Sequence, residues 1–114
     1  MTWPVIARAL FWLALVFALV MALLPQPPAL PGTPSDKMQH MIAFAVLSLL
    51  AALAYPQLRL GEIFIAMAAL GALIELLQLI PALGRDAEFM DWLADCAASL
   101  VVLTLVGMAR RLAG

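Results

Sequence analysis

The sequence predicts an all-α membrane protein with four transmembrane helices in an up-and-down antiparallel bundle. Of its 114 residues 67% are hydrophobic and only 11% are charged, too little charge to cover the wet surface of a small soluble domain. The apolar residues fall into four stretches of about 20, the length at which a helix crosses a bilayer. Short connections between them favour antiparallel neighbours. The length predicts a single domain, residues 1–114.

The first helix is predicted over residues 3–24, with Arg8 as its only charge. A cleaved signal peptide is the alternative, in which Arg8 is the positive n-region and Val20 and Ala22 are the small residues before the cleavage site. We favour a retained helix because the apolar stretch is long for a signal peptide. The proline-rich run that follows, residues 25–35, predicts an extended loop outside the hydrocarbon.

The other three helices are predicted over residues 36–55, 61–80 and 87–109. Ser35 or Asp36 is placed to cap the first of these. Pro56 directly follows the segment 36–55, and Pro81 directly follows the segment 61–80. Prolines end helices because they break the backbone hydrogen-bond pattern. Two arginines follow the last of the three.

Lysine and arginine in the loops predict the orientation, because short cytoplasmic loops carry an excess of both. If the N-terminus is inside, four of these residues are cytoplasmic and two are on the opposite side. They are Arg8, Arg59, Arg110 and Arg111 against Lys37 and Arg85. The sequence therefore predicts that both termini are cytoplasmic.

Polar side chains gather at the opposite, extracytoplasmic end of the predicted bundle. They come from the start of the second helix, the end of the third, and the third loop with the start of the fourth. The candidate functional cluster is Asp36, Lys37, His40, Glu75, Gln78, Arg85, Asp91 and Asp95. Acids outnumber bases here, so we expect the cluster to hold protons, recruit a cation or an amine-bearing ligand, or stay hydrated in a pocket.

Two carboxylates of this cluster are predicted to lie inside the membrane. Glu75 lies five residues before its loop, roughly 7 Å inward at helical rise, and Asp95 lies at a similar depth. The small residues Gly71 and Ala68 precede Glu75 and predict that another helix approaches closely. A carboxylate at the bilayer centre costs about 2.5–3.5 kcal/mol, and less near the interface. Such residues are functional candidates, and a polar clasp between helices is the structural alternative.

Three blocks in this cluster carry a resemblance to a known family. They are, in order, Asp36-Lys37-x-x-His40, Glu75-x-x-Gln78, and Arg85-Asp86 followed by Asp91-x-x-x-Asp95. In this order, within four hydrophobic helices, they resemble the VanZ-like family over about residues 36–102. Two positions depart from the family pattern: Asp95 stands where members usually carry Asn, and Ala98 where a small glycine is common.

The resemblance implies a multi-pass protein of the bacterial cytoplasmic membrane. The founding member is associated with resistance to the glycopeptide antibiotic teicoplanin, and most members have no defined biochemical activity. The family therefore implies a cell-envelope role, and we expect the extracytoplasmic cluster to bind or modify an envelope lipid or a peptidoglycan precursor.

Two other functions stay open. A metal-dependent hydrolase would use His40, Glu75, Asp91 and Asp95, because an imidazole and carboxylates suit a hard or borderline cation. A non-catalytic helper protein would use the cluster only to hold its helices in register. The sequence has no His-Glu-x-x-His, serine-centred or paired-cysteine motif, so it identifies no cofactor and does not decide whether the protein is an enzyme. The expected partner is the lipid bilayer, without nucleic acid, and an oligomer is compatible with the chain.

Overall fold

The computed structural model describes residues 2–25, 36–84 and 87–114, without the side chain of residue 36. These residues form four long α-helices and one short 3-10 helix, η1, with no strand among them. The elements are α1 (Trp3–Leu23), α2 (Asp36–Ala54), α3 (Leu60–Gln78), η1 (Pro81–Leu83) and α4 (Phe89–Ala113). The all-helical prediction with four membrane-length helices is confirmed. The loop predicted over residues 25–35 lies, apart from Pro25, outside the described residues.

The main difference in helix boundaries is at the end of α4. The sequence predicted an end near residue 109, whereas the helix continues to Ala113, and Arg110 and Arg111 lie in its last turn. Positive side chains are favoured there because the C-terminus of a helix carries partial negative charge. These arginines therefore belong to the helix and do not follow it.

The helices present a largely apolar exterior. All four are long and apolar enough to cross a membrane, and only 17–33% of each span is buried inside the chain. Large side chains such as Phe17, Ile65 and Leu105 are exposed. Contiguous apolar surface on this scale needs a nonaqueous environment, as expected for a multi-pass membrane protein.

Helix α2 is central to the packing. It packs against both α1 and α4, and α4 also packs against α3. Ala51, Ala52 and Ala54 of α2 are buried. Small side chains at these positions let the helix backbones approach closely, which is how helices associate in lipid.

Two arginines from different helices meet the C-terminal end of α2. The Arg8 Nε donates to the carbonyl oxygen of Ala54 at 2.9 Å, and the Arg110 Nη2 donates to that of Ala52 at 2.9 Å. The Arg8 guanidinium also lies 5.0 Å from the centre of the Tyr55 ring. We call these five residues the arginine end. Here cationic donors satisfy carbonyls that the helix itself leaves unpaired.

Candidate functional site

Three polar side chains from three helices meet away from the arginine end. They are His40 of α2, Glu75 of α3 and Asp95 of α4. One side-chain atom from each, an imidazole nitrogen or a carboxylate oxygen, lies within 4.8 Å of the other two. We call these residues the triad. Asp95 is 2% exposed, and the other two are half-buried. The structure thus brings together one residue from each of the three segments that the sequence singled out.

Helical spacing explains why His40 and Asp95 face each other. Phe44 and Ser48 follow His40 at four-residue steps, and both are buried; Ser99 follows Asp95 in the same way and is also buried. Residues four apart share one helix face, so each triad residue lies on a face that packs against the other helix. The Ser48 Oγ donates to the Ser99 Oγ at 2.8 Å, which continues the polar contact between the helices one turn after Asp95 and two turns after His40.

The third triad residue, Glu75, is held by the start of α4. Its Oε2 accepts a hydrogen bond from the backbone N–H of Glu88, at 3.1 Å, and Glu88 is the residue that precedes α4. The other oxygen, Oε1, is shielded from solvent, as are the His40 Nε2 and the Asp95 Oδ1. Two carboxylates so close together and away from water require a compensating positive charge, either a proton or a cation.

Trp92 of α4 and Gly71 of α3 pack against each other beside the site. The Trp92 Nε1 donates to the carbonyl oxygen of Ala68 at 2.9 Å. A Cβ at position 71 would lie 3.1 Å from the Trp92 Cδ1 and 3.4 Å from the Phe44 Cζ. Gly71 lies one turn before Glu75, so the absence of a side chain there lets α2 and α4 pack tightly beside the triad. The sequence predicted this close approach.

Two other predicted residues form an ion pair and do not join the triad. The Lys37 Nζ lies 3.4 Å from the Asp91 Oδ1, and their side chains are 47% and 13% exposed. Asp91 is one turn nearer the start of α4 than Asp95, and there it meets a cation. Among the described residues, the structure therefore groups His40, Glu75 and Asp95 as possible metal ligands, without Asp91.

Gln78 is directed to a different helix from the triad. It is 2% exposed, and its Nε2 donates to the carbonyl oxygen of Ala22 in α1, at 2.9 Å. Gln78 lies three residues after Glu75, so its side chain points about 60° away from that of Glu75 around the helix axis. That offset directs Gln78 to α1, where it binds a backbone carbonyl near the end of that helix.

The remaining two predicted residues lie at the limits of the described chain. Asp36 is the first residue of α2, and its side chain is outside the described residues. Arg85, together with Asp86, is also outside them. In contrast, Ser99 was missed by the sequence prediction although its spacing from Asp95 was an available signal.

An apolar groove lies on the α2–α4 surface. Its cavity volume is about 360 Å³, and its lining is apolar apart from a trace of polar surface. The lining residues include Met41, Ile42 and Ala45 of α2 and Ala97, Ala98 and Val101 of α4. The lining begins one residue after His40 along α2 and two residues after Asp95 along α4. The groove and the triad therefore lie at a similar level of the same helix pair, and none of the triad residues lines the groove.

Comparison with family models, curated proteins and solved structures finds no significant match to this chain. The likeness to the VanZ-like family therefore rests on the three sequence blocks. The site is defined by its own geometry, a half-buried imidazole and two carboxylates from three membrane-length helices, and an apolar groove lies on the surface of two of these helices.

Proposed function

We propose that this is a VanZ-like protein of the bacterial cytoplasmic membrane that binds, or acts on, an envelope lipid or lipid-linked peptidoglycan precursor. The observation that carries the proposal is the convergence of His40, Glu75 and Asp95 from three apolar helices. Ionisable groups inside a membrane are costly, and they mark binding sites and reaction sites more often than structural positions.

In this proposal the four helices run up and down, and both termini are cytoplasmic. The triad then lies towards the extracytoplasmic leaflet. Fourteen residues of α2 separate His40 from Ala54, which is about 21 Å at helical rise. The arginine end and the triad are therefore far apart along α2, and the positive-inside rule places the arginine end in the cytoplasm.

The apolar groove favours a lipid over a water-soluble ligand. A hydrocarbon chain lying along Ala45, Ala97 and Ala98 would keep its apolar surroundings, and its polar headgroup would lie next to His40 and Asp95. Bringing both parts of one molecule to adjacent sites is how a membrane protein recognises an amphiphile against the background of other lipids. A role in glycopeptide resistance would follow if the lipid were a cell-wall precursor.

Single replacements test this function. Glu75→Gln and Asp95→Asn remove a charge with little change in shape, and we expect each to abolish the protein's effect on teicoplanin or envelope-stress sensitivity. Glu62→Gln is the matched control. Glu62 lies in the first turn of α3, and its side chain accepts a hydrogen bond from the Arg59 N–H, at 3.2 Å, as glutamine can.

The measurements are growth inhibition and the amount of protein in the membrane for each variant. Native mass spectrometry of the purified protein with a polyprenyl phosphate would show whether binding is lost in parallel. If Glu75→Gln and Asp95→Asn reach the membrane at normal levels and behave as the original protein in both assays, the proposed function is wrong.

A further inference from the structure

We propose that His40, Glu75 and Asp95 bind one divalent transition-metal ion of the Zn²⁺ or Mn²⁺ class. One possible ligand atom from each residue already lies within 4.8 Å of the others. Ligand atoms at zinc distances of about 2.1 Å are about 3.4 Å apart around a tetrahedral ion. Side-chain rotations that close these distances by up to about 1.4 Å would therefore bring all three atoms to the ion.

The donor set indicates which ions fit. Ca²⁺ and Mg²⁺ prefer oxygen ligands alone, whereas an imidazole suits zinc, iron and similar ions. An ion with two positive charges would also balance the carboxylates of Glu75 and Asp95. In a site shielded from water, that balance removes the repulsion between two ionised acids.

The surroundings orient one of the ligands. The Glu88 N–H donates to the Glu75 Oε2, and this bond turns the other oxygen, Oε1, towards the shielded interior. Hydrogen bonds of this kind to a metal-binding carboxylate fix its direction. Three protein ligands would leave at least one coordination position for water or for a ligand.

The open position suggests how the site would take a phosphate group, a step that rests on the proposed function. Glu75 and Asp95 alone would repel the phosphate of a lipid headgroup. A bound divalent ion would attract that phosphate and leave the lipid chain free to lie in the apolar groove. The metal site itself does not depend on this step.

The first experiment measures the metal in the full-length protein. The protein is purified in detergent, stripped with EDTA, and equilibrated with micromolar Zn²⁺ or Mn²⁺, and bound metal is determined by mass spectrometry. We expect one ion per chain. His40→Ala, Glu75→Gln and Asp95→Asn should each weaken binding by about 100-fold or more, because even the loss of a residue that only supports a ligand costs 10–100-fold. Glu62→Gln should bind as the original protein does.

A second measurement needs no variant. The Mn²⁺-loaded original protein should show coupling to an imidazole nitrogen in pulsed electron paramagnetic resonance, since it has a single histidine. The proposal is overturned if the protein takes up no stoichiometric ion, if the bound ion shows no nitrogen coupling, or if Glu62→Gln loses as much metal as Glu75→Gln.

The same preparations separate this inference from the proposed function. Binding of a polyprenyl phosphate and of inorganic phosphate is compared with and without metal. If the protein takes up no ion when metal is returned and still binds the lipid, the function stands and the metal site is wrong. An ion bound without any lipid would do the reverse, and binding of inorganic phosphate alone would identify a free phosphate as the ligand.

Discussion

The two ends of α2 use charge in opposite ways. At the arginine end, Arg8 and Arg110 each donate to a backbone carbonyl at 2.9 Å, so every charge has a structural partner on the helix terminus. At the triad, Glu75 and Asp95 bring like charges together with His40. Cations at a helix C-terminus stabilise the fold, whereas two adjacent acids inside a membrane oppose it. This difference is the physical basis for the proposal that the arginine end maintains the bundle and that the triad serves the function.

The strongest test of the comparison asks whether the two ends lie on opposite sides of the membrane. In a Cys96→Ala background, single cysteines are introduced at Ala82 in η1 and at Leu112 in the last turn of α4, both exposed positions. A membrane-impermeant maleimide added to intact cells should label the first and not the second. The opposite pattern, or equal labelling of both, would contradict the proposed orientation; permeabilised cells control for reactivity.

The next largest effect is expected from removing the arginine end. Arg8→Ala with Arg110→Ala should destabilise the bundle by about 2–4 kcal/mol, because two charge-assisted hydrogen bonds are lost and carbonyls of α2 are left unsatisfied. Unfolding in mixed micelles measures the change. If the arginine end is only structural, the surviving folded protein keeps its metal and lipid binding. Loss of binding at full stability would show that the two ends are coupled.

The smallest effect is expected at the Lys37–Asp91 pair. Lys37→Ala should change the free energy of unfolding by less than about 0.5 kcal/mol, because the Lys37 side chain is 47% exposed and solvent weakens such pairs. The pair lies at the same end of the bundle as the triad, so the variant also tests whether a half-exposed charge at that end contributes to stability. Unfolding at low and high salt is the measurement, and a large loss that salt does not reduce would assign the pair a buried, structural role.

The sequence predicted the helices well because long apolar runs and prolines define them. Its main error, the end of α4, arose from treating Arg110 as a flanking charge although helix C-termini favour arginine. It also predicted that His40, Glu75 and Asp95 would lie at one level, because the start of α2, the end of α3 and the start of α4 fall at the same end of the predicted bundle. Depth along a helix follows directly from residue number and rise.

The finer contacts depend on which helices are neighbours, and residue spacing does not reveal that. Gln78 binds α1, and Ser48 pairs with Ser99 across the α2–α4 interface; neither helix pair is consecutive in the chain. Asp91 and Asp95 lie on the same face of α4, one turn apart. Asp91 forms the ion pair with Lys37, whereas Asp95 belongs to the triad. Only the packed structure distinguishes these partners.

Helix α4 has 25 residues, whereas the other three long helices have 19–21. At helical rise it extends about 37 Å, which exceeds a hydrocarbon thickness of about 30 Å. Such a helix must tilt or protrude, and the angle changes with bilayer thickness. Helix α4 carries Asp95 near one end and Arg110 near the other. A thinner or thicker membrane would therefore change the depth at which the Asp95 carboxylate lies, so the lipid composition around the protein would alter the environment of the site.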